Sequence, residues 1–104
     1  MIRHIVSWRL AAEDPAQRAA DAAGIKERLE GLRGRLAVER IDVGVDLGET
    51  DGNWHVVLDS DFATREDLAA YQTHPAHVEA AAFIRSVVVA RSCVDYEVHH
   101  PQDR

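Results

Sequence analysis

One short stretch, Tyr71-Gln72-Thr73-His74-Pro75-Ala76-His77, carries a phenol and two imidazoles on either side of a proline. Histidine is the side chain whose ordinary pKa lies nearest neutrality, so it can accept or release a proton at pH 7. Tyrosine adds a hydroxyl that donates a hydrogen bond. A base with a donor beside it suits the removal of a proton flanked by carbonyls and the stabilisation of the enolate or alkoxide oxygen that develops. His77 is the candidate base and Tyr71 the candidate donor. The structural alternative has Tyr71 as a core residue with its hydroxyl satisfied, and His77 bonding locally near a helix N-terminus. His74 precedes Pro75, which disfavours the α conformation at the residue before it, so His74 is expected to cap a restarting helix. His4 is a further candidate. It either orients His77 or is a core histidine satisfied by a backbone carbonyl.

No metal site is expected among these histidines. His74 and His77 would share a helical face only inside one helix, which the proline opposes, and no carboxylate completes a ligand pattern. His99-His100 suggests at most fortuitous metal pick-up. No cofactor is expected either, because carbonyl acidity would come from the substrate itself.

Alternating sequence patterns set the elements that must position this chemistry. Ile2, His4, Val6, Trp8 and Leu10 alternate with Arg3, Ser7 and Arg9, the period of a half-buried strand. Asp14-Pro15-Ala16-Gln17 reads as a capped helix start, with Gln17 completing a capping box. Ala22, Ile25, Leu29, Leu32 and Leu36 form one apolar helical stripe, ending near Gly31 and Gly34. Ile41, Val43, Val45 and Leu47 mark a second strand and Trp54, Val56 and Leu58 a third, joined by a Gly48–Asn53 turn cluster. Thr64 caps a short helix through Tyr71. A second piece after Pro75 carries Val78, Ala81, Ala82 and Ile84, and a last strand runs to Val98 with Val94, Tyr96 and Val98 on one face. The order β-α-β-β-α-β predicts an α+β, ferredoxin-like protomer: a four-stranded antiparallel sheet with helices on one face. The other face keeps apolar residues such as Ile5 and Val57, which predicts a homodimer through the open sheet face.

A chain of 104 residues fits one domain, over residues 1–98 with a flexible tail at 99–104. The net charge is −6, and no basic stripe is visible, so nucleic acid is a poor partner. Arg28, Arg33, Arg35 and Arg40, interleaved with Glu27, Glu30 and Glu39, read as a solvated helix face. Cys93 is the only cysteine, which excludes an intrachain disulfide and a Cys-based zinc site, and its apolar setting predicts a buried small side chain. No apolar run approaches a membrane span and no signal-peptide pattern opens the sequence, so a cytoplasmic location is expected.

The opening Ile2-Arg3-His4-Ile5-Val6 strand, the element order and the Tyr71-x-x-His74-Pro75-x-His77 motif together resemble the stress-responsive dimeric α/β-barrel (Dabb) domain family. The resemblance covers essentially the whole chain and implies that the sheets of two copies pair into a dimeric α+β barrel. Members similar to plant polyketide cyclases close a linear poly-β-ketone by intramolecular aldol chemistry. On that likeness His77 matches a general base, Tyr71 a phenol that holds the substrate carbonyl, and His4 a further pocket histidine. It implies an apolar pocket between sheet and helices, with Val6, Trp8 and Val78 as lining, for a small hydrophobic or polyketide-like ligand. Other members have no established reaction, which leaves a non-catalytic ligand-binding or assembly module as the alternative.

Overall fold

A computed structural model describes residues 1–99; His100 and the rest of the expected tail lie outside the described residues. The chain runs β1 (Ile2–Leu10), α1 (Pro15–Glu30), β2 (Arg40–Val45), β3 (Val56–Phe62), α2 (Arg65–Thr73), α3 (Pro75–Val87) and β4 (Val88–Glu97). The four strands form one antiparallel sheet in the order β2-β3-β1-β4. This is the predicted ferredoxin-like arrangement, with the second helix divided at His74. No described helix is long and apolar enough to cross a membrane.

Strand β1 holds the centre because its alternation is clean. Ile2, His4, Val6, Trp8 and Leu10 are all buried beneath the helices. They meet Phe62, Ser60, Leu58 and Val56 of β3 in direct register, so the two strands bury one continuous face. Ile25 and Leu29 of α1 and Ile84 of α3 close over that face. Removing a side chain such as Ile25, which is fully buried, costs ~2–5 kcal/mol in comparable cores.

The helix boundaries follow local chemistry. Asp14 accepts from the Gln17 backbone N–H at 2.9 Å, and Pro15 occupies the first turn, where a missing N–H costs nothing. Gln17 does not close a capping box; its amide instead donates to Asp21 Oδ1 at 2.8 Å, one turn onward. Helix α1 stops at Glu30 with Gly31 as cap, so Leu36 packs against the core from the following loop rather than from the helix. Gly24 has a packing role: a Cβ there would meet the Phe83 ring at 2.8 Å, so its absence lets α3 lie close against α1.

The expected arginine-rich helix face does not form, because α1 ends before most of those residues. Arg28 lies over the Phe83 ring, 3.6 Å from its centroid, and Arg33 donates to Asp42 from beyond the helix. Arg40 belongs to β2, where it faces the open side of the sheet. There Asp61, only 5% exposed, accepts from Arg3 Nε at 2.9 Å and Arg40 Nε at 3.0 Å. Burial alone would raise the Asp61 pKa, but the two guanidinium hydrogen bonds outweigh it and hold the carboxyl below its usual range.

This lowered pKa makes Asp61 an acid-sensitive tie across β1, β3 and β2. Its contribution is present above the unfolded carboxyl pKa of about 3.9 and is lost as pH falls through the lower folded value. Asp61→Asn should lower stability at neutral pH by ~2 kcal/mol in urea unfolding. Its midpoint should also fall less steeply than that of the parent between about pH 5 and pH 2. Parallel acid limbs for the two proteins would show that Asp61 is not the group responsible.

Candidate functional site

Pro75 determines where the aromatic and imidazole groups stand. With no N–H on residue 75, the ladder of α2 stops, and His74 adopts extended backbone between the helices. His74 Nδ1 accepts the Ala76 backbone N–H at 3.0 Å, the capping role expected of it. Three residues after His74, His77 lies in the first turn of α3, and Tyr71 lies in the last turns of α2. The break brings their rings together at a centroid separation of 4.4 Å.

The His77 tautomer follows from its partner. Nδ1 lies 3.1 Å from the Gln72 carbonyl, which can only accept, so Nδ1 carries the proton and Nε2 keeps the basic lone pair. Burial lowers the His77 pKa, and the nearby His4 and Arg91 push the same way against the Gln72 hydrogen bond. The ring is therefore held neutral at pH 7. Tyr71 is fully within the core, against Phe62 at 4.9 Å and His4 at 6.4 Å between centroids. Its hydroxyl is buried with no hydrogen-bond partner among the described residues. Burial pushes its pKa up to about 12, so it remains a donor throughout the physiological range.

His4 reaches the same region from the sheet. The β1–β4 register sets it opposite Asp95, and Nδ1 donates to Asp95 Oδ1 at 2.5 Å. The backbone carbonyl of His4 accepts from Ser60 Oγ at 3.0 Å, so this strand position is tied from both flanks. The expectation of a bond to His77 or to a backbone carbonyl is thus replaced by a carboxylate partner.

A cavity of about 540 Å³ opens between α3 and the β1–β4 half of the sheet. His4, His77, Val6, Trp8 and Ile84 line it, and Arg85 and Arg91 add positive charge to an otherwise mostly apolar wall. Tyr71 is not part of that lining; it stands one ring behind it, against His77. Val78 is also outside the cavity. At 50% exposure it projects from α3, because the helix turns Ala80 and Ile84 inward instead. Cys93 is exposed rather than buried, since β4 is an edge strand whose outer part the helices do not cover.

Asp95, Cys93 and Arg91 escaped sequence reasoning, although one signal was available. On β4, Arg91, Cys93, Asp95 and Glu97 alternate with Ser92, Val94 and Tyr96, so the helix-side residues are the polar set. A strand that turns polar groups toward its own helices marks a site or a solvent-filled rim. Chemically, the cavity offers a neutral imidazole base, a second imidazole fixed by a carboxylate, and a cationic edge. His4, Cys93 and Asp95 also place donor atoms within 4.8 Å of one another, the separation a metal ion would require.

Comparison with known proteins agrees with this architecture. A dimeric protein of unknown function with a ferredoxin-like fold from Bacteroides fragilis is 31% identical, over 93% of this chain and 95% of that one, with a TM-score of 0.83. A dimeric ferredoxin-like protein of unknown function from Thermobifida fusca is 25% identical, over 93% and 90% of the two chains, with a TM-score of 0.77. A Dabb-family protein with a ferredoxin-like fold from Mesorhizobium loti is 24% identical over 95% and 97%, with a TM-score of 0.68. No curated protein matches the sequence significantly. The model of the stress responsive A/B barrel domain matches residues 2–98, and with the fold above it makes this chain a member of the Dabb family.

Proposed function

We propose that the chain is the protomer of a cytoplasmic homodimer whose cavity closes a small polyketide-like ligand by aldol chemistry, with His77 as base. The observation that carries this reading is the His77 tautomer. A carbonyl fixes its Nδ1 proton, which leaves Nε2 basic on a ring that lines an apolar cavity. In the reaction, His77 Nε2 takes a proton from a carbon between two carbonyls. The resulting enolate carbon attacks a distant carbonyl of the same ligand and forms the new C–C bond. The alkoxide then recovers the proton from the His77 imidazolium. No oxidant or reductant enters, and loss of water afterwards gives the ring its aromatic character. Tyr71, protonated and unpartnered, is the donor for the developing oxygen and must move forward from behind His77 to reach it. His4, held by Asp95, orients the ligand. Arg85 and Arg91 favour one that carries an acidic group at the end of an apolar body.

Tyr71's place behind the lining favours a second reading, a non-catalytic carrier that binds such ligands without turning them over. Turnover separates the two. Incubated with a linear poly-β-ketone, the parent should release cyclised product, and His77→Ala should lose ~10²–10⁴-fold in rate. Because the His77 pKa is lowered, the rate should stay level through neutral pH and fall only below about pH 6.5. Saturable binding with no product would favour the carrier.

Tyr71→Phe tests the donor through opposed readouts. Deleting a buried, unpartnered hydroxyl should leave the melting temperature unchanged or raise it, whereas turnover should fall at least tenfold. A destabilisation above ~1 kcal/mol would mean that the hydroxyl is already satisfied.

Support for the homodimer lies on the open sheet face. Val57, Val94 and Tyr96 are 37%, 60% and 46% exposed there and surround Ile5, and two similar proteins are dimeric. Light scattering of the parent at micromolar concentration should give twice the chain mass. Val94→Asp, which sets a charge beside Ile5 on that face, should give a folded monomer. A parent that runs as a monomer would sink the pairing.

A further inference from the structure

Three side chains of different chemistry meet where β1 and β4 lie side by side. The register sets His4 opposite Asp95 and Val6 opposite Cys93, so residues 93 and 95 flank the imidazole on the helix side of the sheet. His4 Nδ1 lies 2.5 Å from Asp95 Oδ1, and Cys93 Sγ lies 3.6 Å from each of those atoms. The imidazole is buried, whereas the thiol and carboxylate are exposed. A ligand arriving from solvent therefore meets the sulfur and oxygen first and finds the nitrogen already fixed behind them.

A nucleophilic thiol is the weaker use of this cluster. Burial raises the Cys93 pKa, and the Asp95 charge raises it further, so the free thiolate is disfavoured. The same negative charge favours a cation. A tetrahedral zinc ion with ordinary bond lengths needs sulfur-to-nitrogen and sulfur-to-oxygen separations of about 3.5 Å and a nitrogen-to-oxygen separation of about 3.3 Å. Both sulfur separations already match. The His4–Asp95 pair alone must open, by about 0.8 Å, a small rotation for an exposed carboxylate.

We infer that His4, Cys93 and Asp95 form a three-ligand site for a zinc-class divalent transition metal, with the fourth position open. One nitrogen, one sulfur and one oxygen ligand select such an ion over magnesium or calcium, which take oxygen. A single cysteine is too few for a Cys-rich structural site but sufficient for this mixed one. On binding, Cys93 gives up its proton to solvent and His4 carries its remaining proton on Nε2. The doubly charged ion is then balanced by one thiolate and one carboxylate. The inference stands apart from the aldol reading, since metal loading is measured without turnover.

The test is a titration of reduced, metal-free, full-length protein with cobalt(II), repeated in His99→Ala/His100→Ala to remove the terminal histidine pair. Both proteins should bind one equivalent with a thiolate-to-cobalt charge-transfer band in the near ultraviolet, and zinc should displace it. Cys93→Ser should abolish the band. Cys93→Ser and Asp95→Asn should each weaken zinc binding at least about tenfold with unchanged circular dichroism. Calorimetry in buffers of different ionisation enthalpy should report about one proton released per metal. Saturation with cobalt without the band would overturn the site. So would stoichiometric binding that survives Cys93→Ser but disappears in His99→Ala/His100→Ala, which would assign the metal to the terminal pair.

Discussion

A proline cannot donate to the helical ladder, and Pro75 imposes that limit in the middle of what would otherwise be one long helix. The orientation of the cavity's chemistry descends from this interruption. In an unbroken helix, Tyr71 and His77 would lie six residues apart, about a third of a turn out of phase, and would face different surroundings. With His74 extended between α2 and α3, the two rings touch. The same interruption frees the Gln72 carbonyl from the ladder, and that carbonyl then fixes the His77 tautomer. The helix junction and the placement of a base are one structural event.

The sheet contributes the opposite wall through a different device. Strand β1 has neighbours on both sides, so each residue along it is registered against two strands at once. His4 therefore has little freedom. Ser60 holds its backbone, Asp95 holds its ring, and Phe62 and Tyr71 pack against it. A polar group in such a setting is tolerable because its hydrogen bond is made. The cavity beside it is bounded by a rigid strand on one side and a helix start on the other.

Much of this was legible in the residues, and the parts that were not share a cause. Strand β1, the caps at Asp14, Thr64 and His74, and the break at Pro75 depend on neighbours within a few positions, and sequence reasoning found each of them. The His4–Asp95 bond joins residues 91 positions apart, and the Arg3–Asp61 pair residues 58 apart. Such pairings are set by strand register, which no local pattern specifies. The exposure of Cys93 and the outward turn of Val78 were misread for a related reason. Apolar neighbours in sequence are not apolar neighbours in space here, because β4 lies at the edge and α3 buries a narrow stripe. The donor role of Tyr71 was legible as chemistry, but its depth behind His77 was not.

The edge position of β4 has a bearing on self-association beyond any pairing of sheet faces. Ten residues long, this strand presents one side of its backbone to no partner among the described residues. Unpaired amides and carbonyls in such a row recruit further strands, which is the first step toward fibrils. Arg91, Asp95 and Glu97 interrupt the row with charges, so an identical strand laid alongside would meet charge repulsion in several registers. These charges thus serve as gatekeepers against cross-β growth, and because Arg91 also lines the cavity, a variant stripped of them to refine binding would trade ligand specificity for colloidal instability.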